Sequence, residues 1–196
     1  MRIRTLRFVH PNSQVCILSR MTLTMKPIQC LQLFLAATLC LAVAKAQSPT
    51  DPPPGQHAIL TVTGKGVQIY ACQMVANAPQ WVFDSPDASL FDASGAKVGV
   101  HGSGPSWRYY DGSTAKGEVL AKSTAPESGA IPWLLLKAVS DDNSGILARA
   151  EFIRRSDTHG GMAPTAGCDA HHLNAISRIP YTATYTFYSA TPQPKE

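Results

Sequence analysis

A glycine-rich stretch flanked by aromatic rings and an imidazole is the part of this chain best suited to bind a ligand. His101 and Trp107 bracket the segment 102–106 (Gly-Ser-Gly-Pro-Ser), and Tyr109 and Tyr110 follow closely. Small loop residues leave the backbone accessible, and flat rings can stack on a sugar or another flat polar ligand. We predict ligand contacts at these four aromatic residues, with Trp107 as the stacking platform. The alternative is a glycine-proline turn between strands whose aromatic side chains fill the core.

Histidines are the other residues that could form a functional site, because neutral imidazole is a common metal ligand. His159 and His171 are weak candidates, since the adjacent His171 and His172 would point in different directions on a strand or helix. No H-E-x-x-H, C-x-x-C or G-x-S-x-G motif is present. The sequence therefore predicts no cofactor, no defined metal site and no catalytic residue, and histidines on the surface or in hydrogen bonds are the default.

The elements that position these residues are short runs of alternating apolar and polar side chains, separated by turn-forming residues. Residues 64–66 (Gly-Lys-Gly) are interpreted as a hairpin-like break, and one helical turn is expected at 169–175. The pattern predicts a single-domain, all-β protein, an antiparallel sandwich or barrel of roughly nine strands. The predicted strands are residues 58–63, 67–72, 81–83, 90–91, 97–101, 107–110, 131–136, 146–152 and 181–187.

The N-terminal segment has the pattern of a secretory signal peptide. Residues 31–43 are apolar, Lys26 precedes them, and residues 44–46 (Ala-Lys-Ala) match the cleavage pattern of signal peptidase. The alternative is a membrane anchor, but the apolar run is shorter than the roughly 20 residues that a spanning helix needs. Met21 or Met25 would give a more ordinary signal peptide than Met1.

This interpretation divides the chain into four parts. Residues 1–46 form the signal peptide region, 47–56 a proline-rich lead-in, 57–190 the β domain and 191–196 a C-terminal tail. Cleavage also changes the charge, because six of the 17 basic residues and none of the 13 acidic residues precede Gln47. The mature chain then carries eleven basic and thirteen acidic residues, so its net charge is −2 instead of +4. Nucleic acid is therefore not an expected partner, nor is a membrane after cleavage.

Two cysteines, Cys72 and Cys168, remain after the leader is removed. An oxidising compartment favours a disulfide between them, and the alternative is two separate buried thiols.

Landmark residues along the mature chain resemble those of a secreted family catalogued as domain of unknown function 3455, found in bacteria and filamentous fungi. The resemblance extends over nearly the whole mature chain but implies no established activity, substrate or cofactor. Some fungal members carry a malate dehydrogenase label, yet this chain has neither a G-x-G-x-x-G motif after a strand nor alternating strands and helices. The landmarks are residues 53–57, 68–72, 81, 99–107, 111–113, 129–135, 158–161, 167–168 and 180–184.

These observations together favour a secreted, non-enzymatic binding or structural module. Its location would be extracellular, or periplasmic if the source is a Gram-negative bacterium. Its partner is unknown, and carbohydrate or another small extracellular ligand is the class that the aromatic stretch suggests. The alternative is a secreted hydrolase assisted by histidine or a metal ion.

The leader interpretation predicts where the exported protein begins. Mass-spectrometric sequencing of secreted material is expected to find the N-terminus within about two residues of Gln47, because the small residues at 44 and 46 fit signal peptidase. Recovery of exported protein that still carries residues 31–43 would contradict this prediction.

Overall fold

The computed structural model describes residues 48–139 and 144–190, all of which belong to one compact unit, Ala46–Glu196. The proposed signal peptide region, the tail at 191–196 and most of the 141–145 turn lie outside the described residues. Within the described part, no helix is long and apolar enough to cross a membrane.

In the described part of the chain, eight antiparallel strands form one closed barrel. Each strand pairs with the next along the chain, and β1 pairs with β8 to close the sheet. The prediction of an antiparallel all-β fold is confirmed, and of the two architectures expected the chain adopts the barrel. The strands are β1 His57–Val75, β2 Ala78–Phe91, β3 Lys97–Gly102, β4 Ser106–Tyr109, β5 Thr114–Ser123, β6 Trp133–Val139, β7 Phe152–Gly160 and β8 Ile176–Ser189.

The first strand continues through glycines that we interpreted as a turn, so that prediction is wrong. Gly64 pairs with Ala183 of β8, and Gly66 pairs with Tyr181. A Cβ atom at Gly64 would lie 2.6 Å from the Tyr185 ring. The glycine therefore makes room inside the barrel for a large aromatic side chain from the neighbouring strand. The single strand β1 includes the predicted strands 58–63 and 67–72, and β2 includes 81–83 and 90–91. The sequence patterns did not predict β5.

A 3₁₀ turn, Leu147–Arg149, occupies the region predicted as a strand at 146–152. The Asp111 carboxylate accepts a hydrogen bond from the Ile146 N–H (2.8 Å), and the Ser113 hydroxyl accepts one from the Leu147 N–H (3.1 Å). These bonds hold the backbone away from the sheet while the Leu147 side chain packs fully buried in the core. The helical turn expected at 169–175 is instead a pair of consecutive hydrogen-bonded turns.

Large, fully buried apolar side chains fill the barrel at the end where β1 begins and β8 ends. Alternate residues of each strand point inward, and the inward residues there are large and apolar. An eight-stranded barrel is just wide enough for its side chains to fill, or to hold one small ligand. The fully buried side chains at this end include Val62, Leu90, Leu147, Ile153 and Phe187.

A disulfide joins Cys72 of β1 to Cys168, as the sequence predicted. Cys168 lies in the segment 161–175 that connects β7 to β8. Backbone bonds reinforce the link, since the Cys72 N–H donates to the Ala175 carbonyl (2.9 Å) and the Cys72 carbonyl accepts from the Asn174 N–H (2.8 Å). The segment 161–175 is thereby fixed to the C-terminal end of β1.

Removal of this disulfide is expected to destabilise the barrel. The double variant Cys72→Ala, Cys168→Ala should lose about 2 to 5 kcal/mol of unfolding free energy in urea titrations, because the bond closes a long loop. Wild-type protein reduced with a phosphine should show a similar loss, which controls for the alanine substitutions. Equal stability of oxidised, reduced and substituted protein would show that the bond does not contribute.

Candidate functional site

A cavity of about 490 Å³ occupies the end of the barrel opposite the packed core. Aromatic and aliphatic side chains supply most of its wall, and a small number of polar groups converge on it. The described residues that line it are Gln68, Tyr70, Phe83, Pro86, His101, Pro105, Trp107, Val119, Lys122, Ile131, Pro132, Leu134, Leu136, Arg155, Met162 and Tyr185. A more open depression of about 440 Å³ shares His101 and Trp107 with this cavity and extends over exposed polar residues.

His101 and Trp107 lie together at the inner wall, where β3 and β4 form a hairpin. The two residues face each other directly in the β3–β4 register. Their rings stack with centroids 4.4 Å apart and an interplanar angle of 7°. Both are buried, with exposed fractions of 4% and 1%, and the edge of the indole packs against Tyr185 and Phe187. The glycine-rich loop therefore brings these two predicted residues into one cluster.

The His101 ring is neutral and held in one tautomer. A carbonyl oxygen can only accept, so Nδ1 must donate the 2.8 Å hydrogen bond to the Ser106 carbonyl. Burial, with a smaller contribution from the nearby Arg155 charge, lowers the pKa of His101 to about 4. The unprotonated Nε2 is therefore an acceptor at neutral pH.

Arg155 brings a positive charge to the cavity wall. It lies opposite Tyr185 in the β7–β8 pair, so its side chain shares the inward face. Nε and Nη2 donate to the Pro132 carbonyl at 3.0 and 2.8 Å, which fixes one edge of the guanidinium. Within residues 48–139 and 144–190, no carboxylate forms an ion pair with Arg155.

Three buried tyrosine hydroxyls surround this charge and remain protonated. Tyr181 and Tyr185 lie with their hydroxyl oxygens 3.2 Å apart, and the Tyr70 hydroxyl donates to the Gly161 carbonyl at 2.6 Å. Burial raises the pKa of each phenol, although the Arg155 charge acts in the opposite direction. The tyrosines therefore contribute neutral hydroxyl groups.

Two buried donors of the cavity wall lack a partner. The amide nitrogen of Gln68 and the indole Nε1 of Trp107 make no hydrogen bond within the described part of the chain. Gln68 is only 2% exposed, and its side chain lies near enough to Tyr181 to influence the pKa of that hydroxyl, but its amide nitrogen lacks bonding geometry. Unpartnered buried donors are rare because leaving them unpaired costs free energy.

The remaining predicted site residues lie elsewhere. Tyr109 and Tyr110 contact each other with centroids 4.5 Å apart, Tyr110 is 75% exposed, and neither lines the cavity. The His159 ring pairs with the Glu127 carboxylate, and the backbone N–H of His171 donates to the Asp169 carboxylate. In the described residues, no group of three or more His, Cys, Asp or Glu side chains is placed to hold a metal ion. Ligand or metal binding at these four positions remains a prediction.

The sequence patterns did not single out Gln68, Tyr70, Arg155 or Tyr185 as site residues. Tyr185 belonged to the clearest predicted strand, but alternation alone does not say which inward residues meet a cavity. Arg155 follows Ile153 by two positions, so the two side chains share one face of a strand. A charged residue on the same face as a buried isoleucine could have indicated a polar group inside the barrel. The predicted strand at 146–152 ended too early to use it.

The depressed pKa of His101 predicts a specific loss of stability in mild acid. Below about pH 6.5 the unfolded chain protonates this histidine, whereas the folded protein resists protonation until about pH 4. Urea titrations should show that His101→Phe retains about 3 kcal/mol more of its neutral-pH stability than the wild type does over this window. The exposed His171→Phe is the control and should keep the wild-type profile. Parallel pH profiles for wild type and His101→Phe would contradict the neutral, buried state of this ring.

Comparison with known proteins identifies the family but no relative of known activity. No curated protein and no solved structure matched the chain. A family model described as protein of unknown function (DUF3455) matches residues 53–189, a range that includes the cavity and the disulfide. The chain therefore belongs to this family, as its landmark residues suggested.

Proposed function

We propose that the protein is a secreted, non-catalytic binding module that holds a small molecule in its barrel cavity. The observation that carries this proposal is a cavity of about 490 Å³ with a mostly apolar wall and a few polar groups, among them Gln68, His101 and Arg155. Ligand sites commonly have volumes of about 300 to 1,000 Å³, with mostly apolar walls and a few polar groups that orient the ligand.

The rim of the cavity supports an apolar ligand. Phe83, Val119 and Met162 line the cavity, and each is roughly half exposed to solvent. Phe83 packs edge-on against Tyr70, with centroids 5.8 Å apart, so this part of the rim is held in place. Clustered apolar side chains at a concave site are typical of ligand entrances.

The wall favours binding over hydrolysis. Among the described residues that line the cavity there is no carboxylate, serine, threonine or cysteine that could act as nucleophile or acid. His101 is the sole imidazole of that wall, and its pKa of about 4 makes it a weak base at neutral pH. Since His101 covers one face of Trp107 and the indole is buried in the core, we propose that Trp107 shapes the cavity wall and does not play the stacking role suggested by the sequence.

Export is supported by the covalent structure. The Cys72–Cys168 disulfide is of the kind that persists in oxidising compartments outside the cytosol. The signal-like segment 1–46 agrees with this location.

Binding can be tested with N-phenyl-1-naphthylamine, a neutral dye that fluoresces in apolar sites. The folded protein is expected to bind one dye molecule. Leu134→Trp, which adds volume inside the cavity, should weaken binding by about tenfold or more. Lys137→Trp on the same strand is the matched control, because Lys137 is exposed and does not line the cavity, and it should leave the affinity unchanged.

Near-ultraviolet circular dichroism and the thermal midpoint should first establish that both variants fold. If folded Leu134→Trp bound the dye as tightly as the wild type, the binding surface would lie outside the cavity. Failure of the wild type to bind the dye would also contradict the proposal.

A further inference from the structure

We infer that the cavity recognises an amphipathic carboxylic acid, with its carboxylate held by Arg155 and its apolar body directed to the rim. This inference rests on the proposed binding function and names the ligand class. It is carried by the oriented guanidinium of Arg155 in a mostly apolar wall whose described residues include no carboxylate.

The arrangement of Arg155 leaves donors available for a ligand. A guanidinium has five N–H groups; the Pro132 carbonyl takes one from Nε and one from Nη2, and the Tyr185 hydroxyl interacts with a third, which leaves two for a ligand. This carbonyl fixes the orientation of the group without neutralising its charge. An oriented guanidinium with unused N–H donors is well suited to a carboxylate, whose oxygens accept charge-assisted hydrogen bonds.

The charge balance of the wall calls for an anion. Arg155 and the exposed Lys122 are positive, and none of the described lining residues is acidic. His101 and the tyrosines are neutral, so they do not compensate the charge. A charge in a partly buried apolar site costs less free energy when a counter-charge occupies the same site.

The size of the charge defines the polar end of the ligand more closely. Gln68 Nε2 and Trp107 Nε1 are buried beneath the wall surface, so the ligand contact is assigned to Arg155. The one oriented cation, Arg155, matches a singly charged head group, whereas a doubly charged phosphate would also need the exposed Lys122 as a counter-charge. The exposed Phe83, Val119 and Met162 then suit a hydrocarbon or aromatic body.

The test compares cis-parinaric acid, a fluorescent fatty acid, with its methyl ester at pH 7.5. Acid and ester share the same apolar body, so their affinity ratio isolates the carboxylate. The wild type should bind the acid about tenfold to a hundredfold more tightly than the ester, as expected for a charge-assisted hydrogen bond. Arg155→Met should abolish this preference by weakening the acid, while the ester affinity changes little.

Arg178→Met is the matched control for general positive potential. Arg178 is exposed on β8 and pairs with Asp87 at 2.6 Å, so its loss should leave the acid-to-ester ratio unchanged. Equal binding of acid and ester to the wild type, or an unchanged ratio in folded Arg155→Met, would overturn this inference and leave the proposed function standing. Failure of both probes and of the neutral dye would instead overturn the proposed function itself.

Discussion

Pairing of the first strand with the last is the constraint on which the rest of this structure depends. His57 lies opposite Ser189, and the ladder continues along both strands to Ala71 and Ile176. The closed sheet has no open edge and encloses an interior of limited width. Glycines in β1 and β5 face the largest rings there, since Cβ atoms at Gly64 and Gly117 would lie within about 3 Å of Tyr185 and Trp107. The large rings fit in the interior because glycines on neighbouring strands leave room for them. The cavity is the part of the interior that the side chains do not fill.

The electrostatics of that space follow from its burial. A ring such as His101 is kept neutral because the barrel wall excludes the water that would stabilise its charged form. Arg155 keeps its charge since guanidinium groups cannot be deprotonated in proteins, and the Pro132 carbonyl orients it. The Arg155 charge among neutral polar groups gives the cavity wall a positive polarity.

Much of the fold and two residues of the cavity wall, His101 and Trp107, could be predicted from local sequence, but the rest of the site could not. Alternation and turn residues indicated the strands around Trp107 and Tyr185, and the spacing of His101 and Trp107 around a glycine-rich loop indicated their proximity. The inward position of Gln68 depends on β1 continuing through Gly64 and Gly66, where the residue types suggested a turn. Arg155 meets the other cavity residues because β7 packs beside β8 in the closed barrel. Such long-range register is set by closure and core packing, which single-strand patterns do not record.

The barrel strands also place the two ends of the sheet beside each other, and this has a practical consequence. His57 and Ser189 are paired at the closed end, whereas Phe83, Val119 and Met162 surround the mouth at the other end. A carrier, tag or solid support attached beside His57 or Ser189 would therefore lie at the end of the barrel away from the opening. The neighbouring ends also make the fold suitable for circular permutation with a short linker, because the new connection would bridge adjacent strands far from the mouth.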